Sequence, residues 1–170
     1  MAQQGTNRFV EGYIRILDKV SDWSALFAGA CVIGILVLTC VEVFVRSVFG
    51  FSTLIADEYG GYLNAVLLFM ALGHTLKEGA FIRVDALFVR MPQRTRLTAI
   101  WVILLLSLLY TVVVAYFLGN YVLYSFLTDE RSTQISRTPV WIPQVFILLG
   151  VMVLGLRLFG YLLNRARNVP

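Results

Sequence analysis

Few residues in this 170-residue chain could do chemistry, and they occur in ones and twos. Glu42 and Arg46 stand four residues apart near the far end of a long apolar run, so on a helix they share a face. Charges there are costly to leave against lipid. They either satisfy each other as a self-contained intrahelical ion pair or form a docking contact to another membrane protein, with Asp57 and Glu58 close by. Catalysis finds no comparable footing. A serine or cysteine nucleophile needs a nearby base, and the chain has one histidine, His74. A single imidazole cannot provide two axial haem ligands, and a lone polar residue there reads best as a bundle-facing hydrogen-bond partner. Cys31 and Cys40 are nine residues apart in one apolar run. That is about 13 Å of helical rise, too far for a disulfide. No Gly-rich phosphate loop and no Cys/His metal spacing occurs. The residues point to a protein that is not an enzyme, with no catalytic residue, no cofactor and no metal ligand.

The elements that must position these residues follow from composition. Of the 170 residues, 59% are apolar and 14% charged, against roughly a quarter charged in an ordinary soluble domain. So few charges cannot cover the surface of so short a chain in water. The expected class is an all-α integral membrane protein, one membrane domain over 1–170, with room for about four spans of roughly 20 residues. The spans are predicted at about 23–49, 59–76, 97–128 and 139–163. From Leu97 to Thr128 there are 32 residues without a charge, about 48 Å of straight helix, so this span must tilt or protrude. Pro139 and Pro143 mark the start of the fourth span, since proline is tolerated in a first helical turn. Arg157 lies about two turns before the polar end of that span and could snorkel there.

Two amphipathic segments accompany the spans. Phe9, Tyr13, Ile16, Leu17 and Val20 recur at helical spacing, with Arg8, Glu11, Arg15, Asp18, Lys19 and Asp22 on the other face. This N-terminal segment is read as a helix that lies at the membrane surface or continues into the first span. Between spans two and three, Val84, Leu87, Phe88 and Met91 occupy positions i, i+3, i+4 and i+7. That pattern predicts a short interfacial helix, capped near its start by Asp85 and ended by Pro92, its arginines toward phospholipid headgroups.

Charge asymmetry orients the whole. Ten basic residues fall in the N-terminal segment, the 77–96 connection and the C-terminal end. By the positive-inside rule both termini face the cytoplasm. The 50–58 and 129–137 loops then lie outside. The arginines of the inner loop sit where topology already requires positive charge, so no nucleic-acid partner is inferred. The span midplanes carry little polar beyond Asn64, Ser107 and Thr111, and no matched pair of broken helices appears. Ala25 with Gly29, and Ala30 with Gly34, are small-xxx-small pairs suited to close helix packing. The spans look built for contact with other helices and not for enclosing a solute.

The chain also resembles a known family. Glu42-x-x-x-Arg46-x-x-Phe49 is followed by Asp57-Glu58-Tyr59 at the start of span two. Gly79-Ala80-Phe81-Ile82-Arg83-Val84-Asp85 comes after that span, then Met91-Pro92 and a basic stretch. Thr138-Pro139-Val140-Trp141-Ile142-Pro143 opens span four, with Gly150 inside it. Together these resemble the small, Q-type (DctQ-like) membrane subunit of tripartite ATP-independent periplasmic (TRAP) transporters, over about residues 15–163. Ile82-Arg83-Val84-Asp85 is the most specific piece. Phe81 departs from the histidine that family members often carry there.

The resemblance implies a bacterial inner-membrane scaffold subunit without a substrate or sodium site of its own. It would pack on a large multi-span subunit and brace that subunit's elevator movement. The complex would import, by sodium coupling, an organic acid delivered by a periplasmic binding protein. Glu42, Arg46, Asp57, Glu58, Arg83 and Asp85 are the partner-interface candidates. The alternative is a membrane anchor or assembly subunit of a different complex.

Overall fold

The computed structural model describes residues 2–79, 92–134 and 136–167. They form four helices: α1 (Ala2–Phe49), α2 (Ile55–Lys77), α3 (Gln93–Leu127) and α4 (Trp141–Arg167). The one extended pairing among the described residues is an isolated antiparallel bridge between Arg131 and Pro139. The predicted interfacial helix over Val84–Met91, with Arg83 and Asp85, falls outside the described residues.

The N-terminal amphipathic segment and the first span are one helix. At 48 residues, α1 is about 72 Å long, and it displaces the 97–128 span as the longest element. No proline falls between Gly12 and Phe49 to break the helix, and Tyr13, Asp18 and Asp22 find partners on other helices, described below. Gly50 ends α1. Its φ of 73° lies in the left-handed region, and its N–H donates to the Arg46 carbonyl at 3.1 Å, a helix stop that glycine adopts without a Cβ penalty. Proline marks the start of α4 as expected: Pro139 pairs in the bridge just before the helix, which begins at Trp141, and Pro143 lies in its first turn.

Among the described residues three stretches are long and apolar enough to cross a membrane: Gly12–Phe49, Thr95–Leu127 and Trp141–Leu163. The expectation of four such stretches is met by three. The difference is α2, whose Tyr59, Gly60, Gly61, Tyr62, Asn64, Gly73 and His74 dilute its apolar residues. This composition follows from position. Helix α2 lies between α1 and α4 and packs against both, so it needs small residues for close approach more than it needs lipid-facing bulk.

Cross-helix contacts set the directions. Leu63 lies near Gly34 and Lys77 reaches Asp22, so α1 and α2 are antiparallel. Phe69 meets Gly150 and Gly73 meets Val153, so α2 and α4 run the same way. Thr111 contacts Gly155 and the Phe126 ring meets Trp141, so α3 is antiparallel to α4. Both termini therefore lie at one end (the terminal end), and the 50–54 and 128–140 connections lie at the other (the two-loop end). Helix α1 also touches α4, whereas α3 packs chiefly on α4. The arrangement is a three-helix bundle of α1, α2 and α4 with α3 laid against its flank.

The core is narrow. Ala28 and Cys31 of α1 pack with Val66 and Met70 of α2, flanked by Phe146 and Ile147 of α4. Phe146 stacks on Phe27 with ring centres 5.4 Å apart. The buried residues Leu17, Ser21, Ser24, Ala28 and Cys31 recur alternately every four and three residues, a 3.5-residue seam typical of closely packed helices. This seam is not the predicted small-residue pairing. Gly29 and Ala30 are exposed, and the small residues that bring helices together are the seam serines with Gly73 and Gly150. A Cβ on Gly150 would sit 2.5 Å from the backbone carbon of Phe69, so α4 lies on the α2 backbone itself. At Gly73 a Cβ would come 2.5 Å from Val153 and 3.7 Å from the Ser21 hydroxyl. All three helices meet at that point.

Candidate functional site

The polar groups gather at the two ends of the bundle. At the two-loop end, Glu42 faces back over the turn that links α1 to α2. Ser52 Oγ donates to Oε1 at 2.5 Å and Thr53 Oγ1 donates to Oε2 at 2.5 Å. The Thr53 backbone N–H adds a third bond at 3.3 Å. The same hydroxyls accept from the N–H groups of Leu54 and Ile55, which open α2. Leu54 takes a φ of 56°, a conformation costly for a branched residue; this network holds the turn on both sides of it.

The predicted Glu42–Arg46 pair forms at 3.4 Å, but it is the longest of the Glu42 contacts. Glu42 is buried, while the Arg46 side chain is 61% exposed. Arg46 also donates to Ser52 Oγ at 3.1 Å. The carboxylate belongs to the fold of its own turn, and most of the guanidinium remains free to meet something else.

Asp57 and Glu58, neighbours in sequence, divide in a similar way. Glu58 is buried and accepts from Ser136 Oγ at 2.6 Å and from the Tyr62 hydroxyl at 3.1 Å. Ser136 and Thr138 share a hydrogen bond at 2.7 Å, and Thr138 meets Tyr59 at 2.9 Å. Glu58 thus ties the first turn of α2 to the α3–α4 connection. It stands just before the apolar 59–76 stretch, and the hydroxyls of Ser132 and Ser136 hold its carboxyl below the usual carboxylate range. Asp57 is exposed. It lines an open cavity of about 450 Å³ together with Glu58, Tyr62, Glu130, Arg131 and Gln134. Of the six interface candidates, the structure brings Glu42 to Arg46, places Asp57 beside Glu58 at the same end, and leaves Arg83 and Asp85 outside the described residues.

The terminal end carries contacts that the sequence did not announce. Arg157 does not snorkel. It is 6% exposed and its guanidinium donates to Asp18 Oδ1 at 2.5 Å. A buried guanidinium needs a counter-ion in the same chain, and Asp18 supplies it from α1. One turn further along α1, Asp22 lies 2.5 Å from Lys77 Nζ and 3.2 Å from His74 Nδ1. The Tyr13 hydroxyl donates to the Leu156 carbonyl at 3.1 Å. Asp18 and Asp22 belong to what reads as the solvent face of an amphipathic helix. Their spacing of four residues, with cations inside or at the ends of other spans, was the signal that they turn inward. Among the described residues no group of three His, Cys, Asp or Glu side chains is placed to hold a metal.

Among the described residues the polar contacts between elements gather toward the two ends of the bundle, with long apolar helices between them. Comparison with known proteins decides what kind of membrane protein it is. A family model described as the DctQ component of tripartite ATP-independent periplasmic transporters matches residues 35–168. The chain belongs to the DctQ family. The match covers more than three-quarters of the sequence. It takes in Glu42, Arg46, Asp57, Glu58 and Arg157, and begins beyond Asp18 and Asp22. No curated protein and no solved structure matches the chain. As a DctQ component the protein is part of a membrane transporter and not an enzyme.

Proposed function

We propose that this DctQ chain is the small scaffold subunit of a sodium-coupled TRAP transporter importing an organic acid. It packs on the large membrane subunit, braces the elevator movement of that subunit, and contributes to the surface that receives the periplasmic binding protein. Family membership over residues 35–168 carries the reading. The bundle supports it, because α4 rests directly on the α2 backbone at Gly150, a rigid contact suited to a part that stays still while its partner moves.

In this reading all four helices span the bacterial inner membrane as one domain over 1–170. Helix α2 crosses at about 59–76 among its neighbours, and both termini are cytoplasmic. The two-loop end then faces the periplasm. Arg46 and Asp57, whose side chains are largely free, are the groups left for partner proteins there. Glu42 and Glu58 act by shaping the surface that presents them. The 77–96 connection, with Arg83 and Asp85, lies against phospholipid headgroups on the cytoplasmic side.

Co-expression of the tagged chain with the large subunit tests this directly. Extraction in mild detergent should recover both in one complex, and liposomes holding that complex should take up substrate only with the binding protein and a sodium gradient. Recovery of the chain alone, or uptake by the chain without the large subunit, would refute the assignment. Arg46→Ala should reduce recovery of the complex, with uptake falling in proportion and the order of substrate preference unchanged.

A further inference from the structure

The outward faces of α1 and α3 differ in a way that bears on where the partner sits. The middle of α1 presents Ile33, Leu36, Val37 and Val41 outward, and the Thr39 hydroxyl is satisfied by its own Ile35 carbonyl. Such a surface suits lipid. Helix α3 does not follow this pattern. Tyr110, at the middle of the apolar Thr95–Leu127 stretch, is 72% exposed, and Tyr116 is 67% exposed. Asn120 is exposed as well. Neither phenol nor the amide has a hydrogen-bond partner among the described residues.

A phenol oxygen reaches about 9 Å from its helix axis, and half of a hydrocarbon core is about 15 Å. The Tyr110 hydroxyl cannot reach water from mid-span, and hydrocarbon offers it no acceptor. Polar groups placed in this way usually mark contacts between membrane helices. Tyr110, Phe117, Tyr121 and Tyr124, with Leu106 and Val113, form one stripe at heptad-like spacing. The six exposed side chains offer on the order of 700 Å² for contact, close to the share of one partner in a standard protein interface.

We propose that this α3 face, and not the outward face of α1, is where the large membrane subunit docks. The docking helix carries hydrogen-bonding groups at the depths of Tyr110 and Asn120, about 15 Å apart along α3. The inference rests on the proposed scaffold function and adds the surface. A second copy of this chain fits the face poorly. Two identical aromatic ladders would hold the helix axes apart, and the short Asn120 amide could not cross the gap. The partner helix must be small where the rings stand.

The test uses the two-subunit complex in membranes. A photo-crosslinking benzoylphenylalanine is placed at Val113 or Phe117 on α3 and at Val37 on α1, and the complex is isolated through a tag on the large subunit. Adducts of this chain with the large subunit should form at Val113 or Phe117 at least about fivefold more than at Val37. In a second arm, Tyr110→Phe and Asn120→Leu each remove polar atoms while keeping bulk. Each should lower the yield of intact complex in detergent about threefold. Equal or stronger adducts at Val37, adducts of twice the mass of this chain, or unchanged complex yield in both polar variants would overturn the proposal. Failure to recover any complex with the unaltered chain would instead remove the scaffold reading on which it rests.

Discussion

At the two-loop end the carboxylates of Glu42 and Glu58 are held by hydroxyl groups, whereas at the terminal end those of Asp18 and Asp22 are held by cations. Hydroxyls satisfy a carboxylate without cancelling its charge. The two-loop end accordingly keeps an anionic surplus: between residues 42 and 58 and between 129 and 137 there are five acidic side chains and three basic ones. At the terminal end each of these aspartates has its own cation, and the structure is closed pairwise. The difference separates a surface that presents charge to something outside from one that spends its charge on holding helices together.

The largest expected effect breaks the terminal end. Asp18→Ala leaves Arg157 buried without its counter-ion and should cost about 3 kcal/mol of stability, read as a lower unfolding midpoint of the purified chain in detergent. Adding Arg157→Met to Asp18→Ala should restore most of the loss, because both charges are then gone. A double variant no better than the single one would mean that packing, and not pairing, is at stake. Next comes a change between the two ends. Gly150→Ala forces a methyl group against the α2 backbone and should cost about 1–3 kcal/mol, with hydrogen exchange rising at both ends together.

Smaller effects should stay at one end. Glu42→Gln keeps one acceptor oxygen but loses the charge that binds both hydroxyls. It should lower the unfolding midpoint by roughly 2–4 °C, with protease access rising in the 50–54 turn and no dependence on salt. Lys77→Ala removes a partly exposed ion pair and should shift the midpoint by less than about 2 °C, a shift that disappears in about 0.5 M salt. The smallest change concerns pH. The Glu58 carboxyl is held below its ordinary range, so its contribution is complete at neutral pH and is lost only as pH falls through the lowered value. Exchange protection of the 129–140 segment should stay flat down to about pH 5 and fall only below the ordinary carboxylate range.

Much of the architecture was legible from hydropathy alone, because a lipid-facing helix must be apolar along its length. That placed α3, α4 and the C-terminal end of α1 within a few residues. Helix α2 was found by its surroundings more than by its own composition, since a helix packed on two sides can carry tyrosine, asparagine and glycine. The Glu42–Arg46 spacing correctly brought the two side chains together, but it could not reveal that Ser52 and Thr53 outbid the guanidinium. Those hydroxyls approach only after the chain reverses at Gly50 and Leu54. Arg157 and Asp18 lay beyond reach for a related reason. They are 139 residues apart, and the amphipathic pattern around Asp18 is equally consistent with a face turned to water. Tyr110 was visible as a letter, but its outward direction depends on which side of α3 lies against α4.

The Arg157–Asp18 contact has a consequence for how the chain is made. Synthesis delivers Asp18 in the first helix and Arg157 in the last. Throughout translation of the middle of the chain the aspartate waits without its cation. Arrival of α4 closes the pair, sets Gly150 on α2 and brings the Tyr13 hydroxyl to the Leu156 carbonyl in one event. A polypeptide cut short before α4 keeps an unanswered acid at Asp18 and leaves Gly73 without Val153 against it. The last helix thus answers the charge of the first, and the fold is electrically balanced across the chain only once both are present.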